Sequence, residues 1–333
     1  MTDFPLRTRW IAPVGGLVSV APIVSADEVV VRTPGAVSFH ALTDGCERSR
    51  VVLPGTDLFP SFFLQNGHLL FTQYAVKRKG WVAAVTRSGV AWTAPLGGIV
   101  FEDAAAIVGD ELWVVVDTRR LGKIVVARFD AATGDTRKAI PLRAGGDRVL
   151  LDGDARIVVS RVGDAETPSA YVLGNDGAPT CVLRRGALAC GSAANGLLVT
   201  STRGARDGSS TIEVCVLRDG RVLWSHAAAS EVTCIARDEV VVIEAAGAAR
   251  FVVLRDARTG DERGRVDVGP IEPAGATFVG SLLIVRHMDG AVLVDCSSLR
   301  LLGEAAVWKG ALAGDLALVG GDGQLYAVPL PAA

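Results

Sequence analysis

The chain has 333 residues, 50% of them hydrophobic, with 34 Lys+Arg against 36 Asp+Glu and a formal charge of −2. Half-apolar composition at near-neutral charge excludes global disorder. It also removes the long-range field that would draw a polyanion or an anionic membrane to the whole protein, so neither nucleic acid nor a membrane is an expected partner.

Residues 1–13 (MTDFPLRTRWIAP) lack the apolar stretch of a signal peptide, and no run reaches the roughly 18 apolar residues of a membrane span. Cys46, Cys181, Cys190, Cys215, Cys234 and Cys296 form no C-x-x-C pair and are read as buried free thiols in a cytoplasmic protein.

A short turn followed by a dense β-branched run recurs eight times. The turns centre on Asp27, Gly67, Asp110, Asp154, Gly196, Asp238, Gly280 and Asp315, at gaps of 40, 43, 44, 42, 42, 42 and 35 residues. A period of that length marks an array of units, none of which buries its own faces alone.

In chain order, residues 8–12 with Trp10 read as a lone strand. Each unit then opens on a short strand rich in small residues (21–25, 104–108, 232–236). The turn leads into the apolar run (28–31, 240–243), and an alternating third strand follows (37–42, 81–85, 124–129, 212–217, 251–254, 292–294). A second tight turn precedes the fourth strand: TDG at 43–45, RSG at 87–89, DAATGD at 130–135, NDG at 175–177, RDG at 218–220 and DARTGD at 256–261. The glycines there supply the positive φ of tight hairpins.

No segment shows helical spacing over three turns. The expectation is an all-β chain: one domain over residues 1–333, an eight-bladed β-propeller of four-stranded antiparallel blades, with seven blades as the alternative because the last gap is short. The N-terminal strand is expected to close the last blade and cover two edges.

DAATGD, DARTGD, Trp92, Trp224 and the stretch APIVSADEVVVRTPGAVSFHAL at 21–42 resemble the repeats of the quinoprotein-type (PQQ-like) propeller family, over essentially the whole chain. That family includes quinone-dependent alcohol dehydrogenases and the outer-membrane assembly lipoprotein. The former place a pair of adjacent cysteines over their cofactor, and the latter has a lipidated cysteine behind an export signal. No adjacent cysteines occur here and the first cysteine is Cys46, so the resemblance implies architecture without a cofactor.

For chemistry the chain offers little. His40, His68, His226 and His287 have no partner at zinc-ligand spacing, so no metal site is expected. The D-x-D at Asp152 and Asp154 reads as turn chemistry, and there is no G-x-S-x-G elbow or Walker loop. An enzyme remains the alternative: a lyase, isomerase or hydrolase with Asp147, Glu102, His226 or His287 converging at the axial mouth.

The loops say more. Sorting them by face places Lys77, Arg78, Lys79, Arg119, Arg120, Lys123, Arg143, Arg148, Arg184, Arg185, Arg203 and Arg206 on one rim over blades two to five, while later blades bring Glu231 and Glu272. Phe59 and Phe101 stand in neighbouring inter-blade loops. Trp81, just after KRKG at 77–80, is the tryptophan expected to touch a ligand, whereas Trp10, Trp92 and Trp224 pack between blades and Trp113 lies in a second-strand core. The expected function is a non-catalytic, monomeric scaffold that holds an acidic protein or peptide on this rim.

Overall fold

The computed structural model describes residues 7–56, 61–76, 79–100, 104–118, 123–144, 146–152, 155–160, 166, 168–186, 188–203 and 210–330. They form the eight four-stranded antiparallel blades of an eight-bladed β-propeller, with no helix among the described residues. Packing groups the blades into two compact units: Met1–Ile140 with Val279–Leu282 and Glu304–Ala333, and Pro141–Phe278 with Leu283–Gly303.

In the first unit, blade one comprises Ile23–Ser25, Glu28–Thr33, Ala36–Ala41 and Glu47–Val52. Blade two comprises Phe63–Asn66, Leu69–Val76, Lys79–Thr86 and Gly89–Pro95. Blade three comprises Ala105–Val108, Glu111–Thr118, Lys123–Asp130 and Thr136–Pro141. Second strands are buried on both faces, as at Val114, Val115 and Val116, which is why they read as continuous apolar runs. Fourth strands are mostly exposed, as in Thr136–Pro141, and so carry charge.

Trp92, on the fourth strand of blade two, docks on blade three. Its Nε1 donates to the Ala131 carbonyl at 3.2 Å, and its ring covers Gly134, where an added Cβ would stand 2.5 Å from the indole. Glycine at φ +77° is what lets the ring lie flat on that turn.

Trp10–Leu17 pairs antiparallel with Leu316–Pro329, Trp10 opposite Ala327 and Ala12 opposite Leu325. The first half of Leu316–Pro329 pairs with Val307–Ala313, and the Leu330 N–H donates to the Asp315 carbonyl at 2.8 Å. That long strand is thus a folded hairpin supplying two of the four strands of blade eight. The N-terminal strand closes the blade as expected, but it runs past residue 12. Its register shifts between Pro13 and Leu17, where Gly15 takes φ +72°.

The short last gap reflects short connections rather than a missing strand. Only residues 288–289 join Leu282–His287 to Gly290–Asp295, and only Ala306 separates Arg300–Ala305 from Val307–Ala313.

In the second unit, blade four is Arg148–Asp152, Ala155–Val159, Pro168–Leu173 and Pro179–Arg185. Blade five is Cys190–Ala194, Leu197–Arg203, Ser210–Val216 and Val222–Ala228. Blade six is Ile235–Ala236, Glu239–Ala246, Ala249–Asp256 and Glu262–Gly269. Blade seven, made of Gly275–Val279 and the three strands from Leu282 to Ala305, has most of its residues in this unit, with Val279–Leu282 and Glu304–Ala305 counted in the first.

Trp224 repeats the docking of Trp92, donating to the Ala257 carbonyl at 3.0 Å. The first strand of blade six is shorter than the 232–236 expected. The Thr233 hydroxyl donates to the Val241 carbonyl at 2.7 Å, and residues 232–234 stay buried outside the named strand, with only the Cys234 carbonyl accepting the Val241 N–H at 3.0 Å. Between blades four and five lies an apolar layer that includes Ile157, Val159, Leu183, Leu198 and Cys215.

Candidate functional site

That apolar layer ends in an open cleft of about 790 Å³ on the face carrying the tight turns. The volume lies within the 300–1,000 Å³ typical of ligand sites. Its floor is Ala155, Val172, Leu197, Val216 and Leu217, and its rim is Asp152, Thr180, Cys181, Asn195, Arg218 and Arg258.

The rim is built from turns of three successive blades. In blade five, Ala194 faces Leu197 across a two-residue turn, and Asn195 and Gly196 both take positive φ, 54° and 76°, the geometry that matches strand twist in hairpins. The Gly196 N–H donates to Asp152 Oδ2 of blade four at 2.5 Å, and Asn195 Nδ2 donates to the Arg237 carbonyl of blade six at 2.7 Å. The three first turns are therefore tied in series, and the rim is held rigidly.

The second turns present the arginines. In RDG at 218–220, the Arg221 N–H donates to Asp219 Oδ1 at 3.0 Å, and Arg218 projects with its side chain 89% exposed, 3.9 Å from Asp219. In DARTGD, Asp256 Oδ1 accepts the N–H groups of Arg258 and Thr259 at 2.8 and 2.9 Å, while Arg263 pairs with Oδ2 at 2.5 Å. Arg263 neutralises the turn's own carboxylate, and the exposed Arg258 guanidinium has no partner among the described residues.

The bonds from Thr259 and Arg258, with the Arg263 guanidinium beside them, bring the Asp256 carboxyl from its ordinary 3.8 to about 2. A depressed folded pKa stabilises above the unfolded value and is lost as pH falls through the folded one. Stability is therefore expected to decline between about pH 4 and pH 2. Asp256→Asn should cost about 1 kcal/mol at neutral pH, allowing for solvent screening, and should flatten that decline. Urea unfolding of both proteins across this range checks it, and parallel pH profiles would contradict the assignment.

The residues expected on the loop rim fall differently. Lys77, Arg78, Arg119, Arg120, Phe59, Phe101, Arg206 and the side chain of Lys123 lie outside the described residues. Lys79 is exposed at the start of its strand, opposite Val76. Trp81 is partly buried, stacked on Tyr74 with ring centroids 6.4 Å apart, and packs against the core cluster of blades one and two.

Arg203 is paired with Glu231 at 2.7 Å, Arg184 with Glu213 at 3.0 Å and Arg143 with Asp176 at 3.5 Å. The described arginines of the rim are thus partly neutralised, one of them by the glutamate read as belonging to the acidic side.

Of the alternative catalytic set, Glu102 lies outside the described residues and Asp147 is buried at the start of blade four. His226 bonds Glu244 Oε1 at 2.9 Å, and Arg255 bonds the same oxygen at 2.7 Å. His40 is buried between the Gly45 carbonyl and the Ser38 hydroxyl at 3.0 and 2.9 Å, and burial lowers its pKa; it braces a turn.

No group of three His, Cys, Asp or Glu among the described residues is placed to hold a metal ion. Cys46, exposed, and Cys181, Cys215, Cys234 and Cys296, partly or fully buried, are free thiols.

No family model matches the chain, and no curated protein matches it. Among solved structures, a europium-containing methanol dehydrogenase is similar with a TM-score of 0.59 at 12% identity, covering 98% of this chain and 93% of that one. BamB from Moraxella catarrhalis has a TM-score of 0.42 at 12% identity, covering 98% and 87%. At such identity the likeness to the dehydrogenase is one of fold: this chain has the PQQ-type propeller architecture.

Proposed function

We propose that the protein is a non-catalytic scaffold that binds an acidic protein or peptide on a face of its propeller. The observation that carries this is the rim of the cleft between blades four and five. Two exposed arginines of successive turns, Arg218 and Arg258, stand over an apolar floor, and among the described residues neither has a carboxylate within 3.5 Å. Rigid blades holding charged turns in place suit recognition, because little conformational entropy is lost on binding. The best-formed acid–base contact, His226 with Glu244, is already clamped by Arg255 and Arg265, at 2.7 and 3.4 Å from Glu244, which suits a structural brace better than proton transfer.

An array of acidic, basic and uncharged peptides, probed with the purified protein at low and high salt, tests the reading. Retention of acidic peptides that weakens as salt rises is expected. Equal retention of all three classes, or none, would overturn it.

A further inference from the structure

We infer that the cleft between blades four and five is a subsite for an acidic peptide segment with an apolar side chain between its carboxylates: the apolar residue rests on Val172, Leu197 and Val216, and Arg218 and Arg258 take the flanking Asp or Glu side chains. This rests on the scaffold reading and assigns it a place, on the tight-turn face rather than on the long-loop rim.

Three observations support the assignment. The corresponding arginine of blade two is consumed by the fold: Arg87 pairs with Glu28 at 3.1 Å. Arg218 and Arg258 are not so consumed, although each turn carries its own aspartates. The guanidinium of Arg258, unpaired among the described residues, and the loosely paired one of Arg218 therefore offer forked donors that match a carboxylate in shape and charge.

The floor between them is apolar, so a fully polar anion would leave it unfilled, and a purely apolar ligand would leave both cations without partners. Carboxylates flanking an aliphatic side chain satisfy both. Asp152, the acid on the rim among the described residues, has Oδ2 occupied by the Gly196 N–H, which holds part of its charge away from an incoming carboxylate. The volume of about 790 Å³ exceeds what one side chain fills, so a segment of a few residues is accommodated.

The test is isothermal titration calorimetry of the full chain with three blocked peptides: Gly-Glu-Leu-Glu-Gly, Gly-Glu-Ser-Glu-Gly and Gly-Lys-Leu-Lys-Gly. Only the Glu-Leu-Glu peptide should bind well, and its affinity should fall on raising salt. R218A and R258A should each weaken it by about tenfold, as expected for loss of a charge-assisted contact. K79A, and R203A at the far end of the second strand of blade five, should leave it unchanged. Both cleft arginines are exposed, so circular dichroism of the variants should match the parent.

Equal binding of Glu-Leu-Glu and Glu-Ser-Glu, or full displacement by inorganic phosphate with no preference for leucine, would reduce the site to a simple anion contact and overturn the inference. Binding lost in K79A and R203A but kept in R218A and R258A would overturn it while leaving the scaffold reading intact. Failure of every acidic peptide, here and on the array, would sink the scaffold reading itself.

Discussion

Trp10→Ala is expected to lower stability by about 4 kcal/mol, within the range for truncating a buried tryptophan. Trp10 is 8% exposed and packs with Ala12, Val14, Leu325 and Ala327 in the core that joins blade eight to blade one. Its Nε1 donates to the Leu42 carbonyl at 2.9 Å, and its ring lies on Gly45, where a Cβ would come within 2.5 Å.

This is the docking of Trp92 and Trp224 repeated at the one place where a blade's fourth strand comes from the other end of the chain. Losing it frees Trp10–Leu17 and uncovers the edge of Leu316–Pro329, a template for unwanted strand pairing. Trp10→Phe, which keeps the ring but orphans the Leu42 carbonyl, should cost about 1–2 kcal/mol. Urea unfolding followed by tryptophan fluorescence and circular dichroism measures both; a loss under about 1 kcal/mol for Trp10→Ala would show that the N-terminal strand does not hold blade eight to blade one.

Gly98→Ala should cost about 3 kcal/mol, the upper end of overpacking penalties. Residues 98–99 lie where the connection from blade two crosses the second strand of blade three, and Ile99 and Asp117 exchange backbone bonds at 3.0 and 2.8 Å. A Cβ on Gly98 would meet the Asp117 carbonyl at 2.4 Å and Val116 Cγ1 at 2.6 Å. Neither is the loose end of a side chain, so the crossing itself must move.

Gly97 is the control. It has φ +72° but nothing within 4 Å of its Cβ position, so Gly97→Ala carries only the left-handed strain of about 1–2 kcal/mol. Equal losses at the two positions would mean that close approach is not what demands glycine at 98. The equivalent crossing from blade one to blade two uses Gly55, whose Cβ would stand 2.2 Å from the Ala75 carbonyl, so the constraint recurs with the repeat.

Much of the fold was legible because strand burial writes itself into composition. A second strand packed on both faces, such as Glu239–Ala246, must be apolar at successive positions, and a fourth strand facing solvent, such as Glu262–Gly269, is free to alternate. Turn glycines mark where φ must turn positive, and docking tryptophans mark where one blade meets the next. Strand ends were less legible. Third strands run beyond their apolar centres, as Lys79–Thr86 does beyond 81–85, because backbone pairing continues wherever the partner strand continues, whatever the side chains.

The candidate site divides along the same line. The turns RDG and DARTGD are visible in the sequence, and the repeat itself shows that Arg218 and Arg258 occupy like positions in successive blades. What local pattern does not encode is which charge finds a counter-charge. Arg87 meets a glutamate from the neighbouring blade, Arg203 meets Glu231, and Arg258 meets none among the described residues. Ion pairing depends on contacts between residues tens of positions apart, and so does the union of Asp152, Cys181, Leu197 and Val216 around one cleft. The amino-acid order alone determined an array of antiparallel sheets, since every sheet reports its own burial. Only the packing of one sheet on the next decided where unneutralised charge and uncovered apolar surface coincide.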